Sequence, residues 1–235
     1  SVRPTPGDQD PAVRPSALDI RDISAAIRLL DMGASLDGPA LAKLVGPGGD
    51  GGWRTLLFDS RPLATELTDR LMALFSELNE AAVSAETFLE ALARGDTITA
   101  NRLMDLGASL DEKAQVTFIG ADDEGWRKLI VQPEDDCVAL TNRLMEAYPN
   151  LREAAISAET LLAALEPQYA EAFDRIVNMG ASLDVETIAK LIGTGGKWQR
   201  LLFSCDDDCI ALTGSLADSY PALGEAARSP KTLLA

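Results

Sequence analysis

The residues of this 235-residue chain best suited to chemistry by type and spacing are Cys205, Asp206, Asp207, Asp208 and Cys209. Two thiols flanking three carboxylates suit a redox pair, or a soft-metal site supplemented by oxygen ligands. A structural reading competes with both. Cys209 stands in register with Cys137 and Ala64 on a helical apolar stripe. Asp207 and Asp208 match Asp135 and Asp136 at the start of a helix, where carboxylates satisfy free N–H groups and oppose the helix dipole. That register favours capping acids and a core thiol over a metal or disulfide role.

The glycine-rich loop at 46–52 invites comparison with a phosphate cradle, but a P-loop needs a preceding strand and a Gly-Lys-Ser/Thr ending, and neither is present. Asp50, Asp122, Asp123 and Glu124 would also repel phosphate, so the loops read as connectors. Asp122, Asp123 and Glu124 carry enough oxygen for weak Ca²⁺ binding without the spacing of an EF-hand loop. The chain has no histidine. It therefore builds no Ser-His-Asp triad, Cys-His dyad or His-containing zinc site from its own residues, and three cysteines fall short of a Cys₄ site. No pair of carboxylates stands apart in pattern as a general acid and base. The expectation is a protein that is not an enzyme, with no catalytic, cofactor-binding or metal-ligating residue.

A row of Trp-Arg pairs is the best candidate for recognition: Trp53-Arg54, Trp126-Arg127, and Trp198 with Arg200. Tryptophan and arginine are the residue types that most often anchor protein interfaces. Joined by the loop acids Asp122, Asp123 and Glu124, they would form a periodic binding ridge. The competing expectation packs each indole on Leu56/Leu57, Leu129/Ile130 or Leu201/Leu202 as core, with the arginines stacked on it or paired with acids.

These residues recur because the chain does. Gly-Ala-Ser-Leu-Asp stands at 33–37, 107–111 and 180–184, at steps of 74 and 73 residues. Ser-Ala-Glu-Thr opens two copies at Ser84 and Ser157, and the run from Ser229 reads as a third opening. The expected organisation is a flexible Pro-rich lead-in at 1–16, repeats at 17–83, 84–156 and 157–228, and the start of a fourth repeat or a cap at 229–235.

Each repeat reads as helical. Ser84 caps a helix carrying Phe88, Leu89 and Leu92, broken at Gly95; a second helix carries Ala100, Leu103 and Met104 to Gly107; and Asp111 caps a short third. A Trp-containing turn follows the loop. The last helix carries Ala64, Leu67, Leu71 and Phe75 in the first repeat, Cys137, Leu140, Leu144 and Tyr148 in the second, and Cys209, Leu212, Leu216 and Tyr220 in the third. That spacing is one buried face.

From Thr87 to Asp111, the run TFLEALARGDTITANRLMDLGASLD resembles an ankyrin repeat, with a Thr-opened helix, a small-residue break and a helix ending in Gly-Ala. The endings RLLDMGASLD and RIVNMGASLD keep the pattern, over about a third of the chain in all. The Pro-Leu-His that usually follows the opening Thr is missing, and some 45 residues of further helix and loop stand where the next 33-residue unit would begin. The expected fold is therefore an all-α solenoid of three units, each an ankyrin-like helical pair plus a second helical pair. In composition and long period the chain is also similar to repeat-bearing effector proteins that bacteria deliver into host cells.

The resemblance implies a non-enzymatic scaffold that binds a protein partner along one face, as a piece of a larger protein such as an effector acting on a host protein. Two alternatives stand beside it: an acidic inhibitor or immunity-type protein masking a basic site, and the non-catalytic part of an enzyme whose active domain lies elsewhere. The net charge of −16 is spread as −4, −7 and −6 over the three repeats, with zero in the lead-in and +1 from Lys231 after them. It suits a basic partner and opposes direct contact with nucleic-acid phosphate or anionic lipid. With no run of about 18 apolar residues, no membrane span is expected. Three sparse cysteines favour a reducing, cytoplasmic compartment, with secretion into a host cell as the other expectation. Oligomeric state is not legible.

Overall fold

The computed structural model describes residues 22–45, 52–120, 125–165, 169–193, 197–204 and 207–229. The lead-in at 1–16, nearly all of the loop at 46–52, Asp122, Asp123, Glu124, Cys205, Asp206 and the segment after Ser229 lie outside the described residues. Among those described there are seventeen helices and no strand, so the protein is all-α. By its internal contacts the chain divides into two compact units, one up to Thr87 and one from Phe88.

The first unit holds α1 (Ile23–Asp31), α2 (Gly38–Val45), α3 (Trp53–Leu57), α4 (Pro62–Leu74) and α5 (Ser76–Ala82). The division falls within α6 (Ala85–Arg94). Helix α1 packs on α4, α2 on α3 and α5, α3 on α4 and α5, and α4 on α5. The core between them is Trp53, Leu56, Leu57, Leu67, Leu71 and Leu78, all buried. Each such side chain contributes about 1.5–3 kcal/mol through its removal from water. Arg70 on α4 pairs with Asp31 at the end of α1 and with Glu66 one turn back.

The second unit continues with α7 (Thr97–Asp105), α8 (Glu112–Gly120), α9 (Trp126–Val131), α10 (Asp135–Ala147), α11 (Pro149–Ala155), α12 (Ala158–Ala163), α13 (Ala170–Asn178), α14 (Val185–Ile192), α15 (Lys197–Leu202), α16 (Asp207–Ser219) and α17 (Pro221–Ala227). Here α7 packs on α10, α8 on α9 and α11, α9 on α10 and α11, and α10 on α11. Further along, α13 packs on α16, α14 on α15 and α17, α15 on α16 and α17, and α16 on α17. These are the pairings of α1 to α5, met twice more. The second unit adds one layer of contact, in which α12 packs on α9 and α11 and α13 packs on α9.

The helix ends follow local chemistry. Gly33, Gly107 and Gly180 adopt φ of 85°, 94° and 104°, open to glycine at no steric cost. After Gly107 the Ala108 N–H returns to the Leu103 carbonyl at 2.8 Å while the Gly107 N–H bonds Met104. This is the Schellman closure of α7. The aspartate four residues after each glycine caps the next helix, with Asp37 accepting from the Ala40 N–H at 3.0 Å, Asp111 from Ala114 at 2.7 Å and Asp184 from Thr187 at 2.7 Å. Ser84 accepts from the Thr87 N–H at 3.3 Å, and the Thr87 hydroxyl donates to the Ala81 carbonyl at 2.8 Å; Ser157, Thr160 and Ala154 repeat that arrangement.

Two expectations are corrected. The Trp segment is a short helix, α3, α9 or α15, and not a turn. The last helical stripe stops one position early. Phe75, Tyr148 and Tyr220 have extended backbones near φ −130°, and a separate seven-residue helix follows each. In two of the three the cause is proline. Pro149 and Pro221 hold the first helical position and push the residue before them out of the helical region. From Ser84 to Ile156 the expected two helical pairs are thus six helices, α6 to α11.

Candidate functional site

The three tryptophans open or nearly open α3, α9 and α15, where the helical spacing to the leucines three residues on turns the indole inward with them. Trp53, Trp126 and Trp198 are 2%, 0% and 1% exposed. Trp126 also meets Phe118 of α8 edge to face, ring centroids 6.1 Å apart at 61°, a favoured aromatic geometry. Each indole Nε1–H is buried with no acceptor. The indoles are core side chains.

Arg54 is exposed and pairs with Glu86 at 2.7 Å, joining α3 to α6; the guanidinium lowers the Glu86 carboxyl below its ordinary value. Arg127 is half-buried and Arg200 exposed. Asp122, Asp123 and Glu124 lie outside the described residues, so the proposed ridge is described only at its arginines. Lys197, beside Trp198, donates to the Leu162 carbonyl of α12 at 3.2 Å.

The two described cysteines, Cys137 and Cys209, are packing residues. Cys209 is fully buried. Cys137 is a half-buried free thiol whose pKa is raised first by burial and then by Glu134 and Asp136. It stays a thiol at neutral pH and is a poor nucleophile or metal ligand. Asp135 and Asp136 are exposed in the first turn of α10, and Glu134 at its cap makes no side-chain capping bond. Their contribution is to the helix dipole. Asp207 sits likewise at the start of α16. Among the described residues no group of three or more Cys, Asp or Glu is placed to hold a metal ion.

A cleft of about 360 Å³ opens beside Cys137, floored by Leu92 and Leu129 and rimmed by Thr97, Lys128, Glu134 and Asp136. Its acids and its lysine are exposed. Nothing in it pairs a base with a nucleophile.

Three groups of structural importance escaped the sequence reading. Arg175 of α13 is half-buried and donates to the Ile130 carbonyl of α9. Burial lowers its pKa. Arg143 of α10 bridges to Asn101 and Asp105 of α7, each at 2.7 Å, as Arg70 does to Asp31. Tyr148 and Tyr220 receive the Leu110 and Leu183 N–H groups at 2.8 and 3.0 Å. The signal for Arg175 was present, since Arg28, Arg102 and Arg175 hold one register, each five residues before the left-handed glycine. No family model, curated protein or solved structure matches the chain.

Proposed function

We propose that the chain is a non-enzymatic module that binds another protein, built from three stacked helical units, each an ankyrin-like pair followed by a set of shorter helices. The observation that carries this reading is the threefold recurrence of one set of helix pairings with the same glycine ends and aspartate caps. A row of equivalent surfaces serves recognition, since each copy adds contact area to one partner, whereas a reaction centre gains nothing from being present three times.

The residues assigned to the partner are Arg54, Arg127 and Arg200 together with the loop acids Asp122, Asp123 and Glu124, each arginine lying one or two residues along the chain from a buried indole. The acid excess selects a partner with a basic contact surface, and rim charges of this kind set association rate and salt dependence more than tightness. Affinity capture with the wild-type chain and with the triple variant Arg54→Ala, Arg127→Ala, Arg200→Ala tests it. The expected result is a protein held by the wild type, released by the variant, and weakened above roughly 0.3 M salt, where the Debye length falls well below 10 Å. Equal retention by both chains would remove the arginines from the interface, and capture of nothing in any lysate would remove the module reading.

A further inference from the structure

Helices α9 and α15 share sequence register and the same three neighbours in their own stretch of chain. Helix α9 has two more neighbours. Helices α12 and α13 lie across it, and Arg175 of α13 reaches the Ile130 carbonyl. Val131, the last residue of α9, is 4% exposed. The residue in its register after α15 is Phe203, a larger apolar side chain, and it is 57% exposed. Ile210 on α16, in register with Val138 on α10, is 58% exposed. Val138 is half-buried.

Two large apolar side chains standing half in water, one just after α15 and one on α16, are an unfinished contact, because removing them from water is favourable. What would finish it is indicated by the chain itself. α12 and the residue capping it read Ser157-Ala-Glu-Thr-Leu-Leu-Ala163, and the chain reads Ser229-Pro-Lys-Thr-Leu-Leu-Ala235 at the same distance beyond the third copy. In α12 the serine caps, the threonine bonds back to the helix before it, and Leu161 is fully buried.

We propose that the end of the second unit at Phe203 and Ile210 is a docking surface for one further helical pair of the α12–α13 kind: an amphipathic pair opening Ser-x-x-Thr-Leu-Leu-Ala and carrying an arginine that donates to the Leu202 carbonyl, as Arg175 does to that of Ile130. This rests on the reading of the chain as stacked units and adds the place and chemistry of the next one.

The test appends a copy of residues 164–184 directly after Ala235, so that the run from Ser229 continues as α12 and α13 do. Four chains are compared by urea unfolding and circular dichroism: the original and the extended chain, each with Phe203 and with Phe203→Ser. The expected result is a higher urea midpoint and added helix in the extended chain, with Phe203→Ser lowering that midpoint far more in the extended chain than in the original, where the ring is already in water. Replacing the appended arginine by alanine should remove part of the gain. An equal effect of Phe203→Ser in both chains overturns the proposal, as does an extension that adds no helix. If sedimentation of the original chain shows a dimer that Phe203→Ser dissociates, the surface belongs to a second copy and the proposal is likewise overturned. No partner enters this experiment, so its outcome is independent of whether the arginine face captures a protein.

Discussion

The phenol oxygen of Tyr148 accepts the backbone N–H of Leu110 at 2.8 Å, 38 residues away in sequence and buried from water. The loop after α7 is thereby tied to the end of α10, and Tyr220 ties Leu183 in the same way. Removing the oxygen leaves a buried N–H unpaired, which costs about 1–3 kcal/mol. Tyr148→Phe should therefore lower the urea unfolding free energy by that amount. The first copy carries Phe75 at this register, and Leu36 there is only half-buried, within reach of water. Phe75→Tyr should change stability by less than about 0.5 kcal/mol.

One substitution made at two glycines should act with opposite signs. Gly107 has φ of +94° in the Schellman closure, so Gly107→Ala meets backbone strain and should cost about 1–2 kcal/mol, although no atom lies within 4 Å of the new Cβ. Gly214 lies inside α16, also with open space around it and no positive φ. There alanine favours the helix by up to about 1 kcal/mol. Thermal midpoints of the two variants should move to either side of the wild type.

The unpaired indole N–H groups make a prediction about the core. Trp126→Phe removes a buried donor that has no acceptor and keeps most of the aromatic volume, so desolvation relief of about 1–3 kcal/mol offsets much of the lost contact. Trp126→Ala removes the volume as well and should cost about 3–5 kcal/mol. Denaturation curves of the two variants should therefore lie far apart, with the phenylalanine variant near the wild type.

How far these features were readable in the sequence depends on which force made them. Gly107 and Asp111 could be placed because the left-handed conformation and the helix cap are local demands that few residue types meet. The burial of Leu67, Leu140 and Leu212 followed from helical spacing. The break at Tyr148 was legible in principle through Pro149, but the apolar stripe ran on across it and masked the signal. Arg175 and Arg143 were not legible as they act. An arginine in a repeated register reads as a surface charge until packing brings a carbonyl or an aspartate some 40 residues distant up to it. The indoles at the candidate site illustrate the same limit. Tryptophan suits an interface and a core equally well, and only the neighbours of α3, α9 and α15 decide between them.

Acid should weaken the fold through three carboxylates. Asp59 is lowered by its hydrogen bond from Arg61, Glu86 by that from Arg54, and Asp184 by that from the Thr187 backbone N–H. A folded pKa below the unfolded one contributes stability that is fully present above the unfolded value, roughly 4. That contribution is lost as pH falls through the lowered folded value. The urea midpoint should decline as pH is taken below about 4. Asp184→Asn, which keeps the cap without the charge, should decline less steeply, and a parallel pair of curves would remove Asp184 from the effect.

The reach of Arg175 to Ile130 spans 45 residues, and the ties from Arg143 to Asp105 and Tyr148 to Leu110 span 38. Packing at these ranges closes only short loops, and loop closure is the entropic obstacle that slows folding. Order can begin in any stretch of about two helical sets and spread to its neighbour. The same locality governs opening: in hydrogen exchange, amides should lose protection in blocks a few tens of residues long, each on its own schedule, with the block under α12 and α13 the slowest.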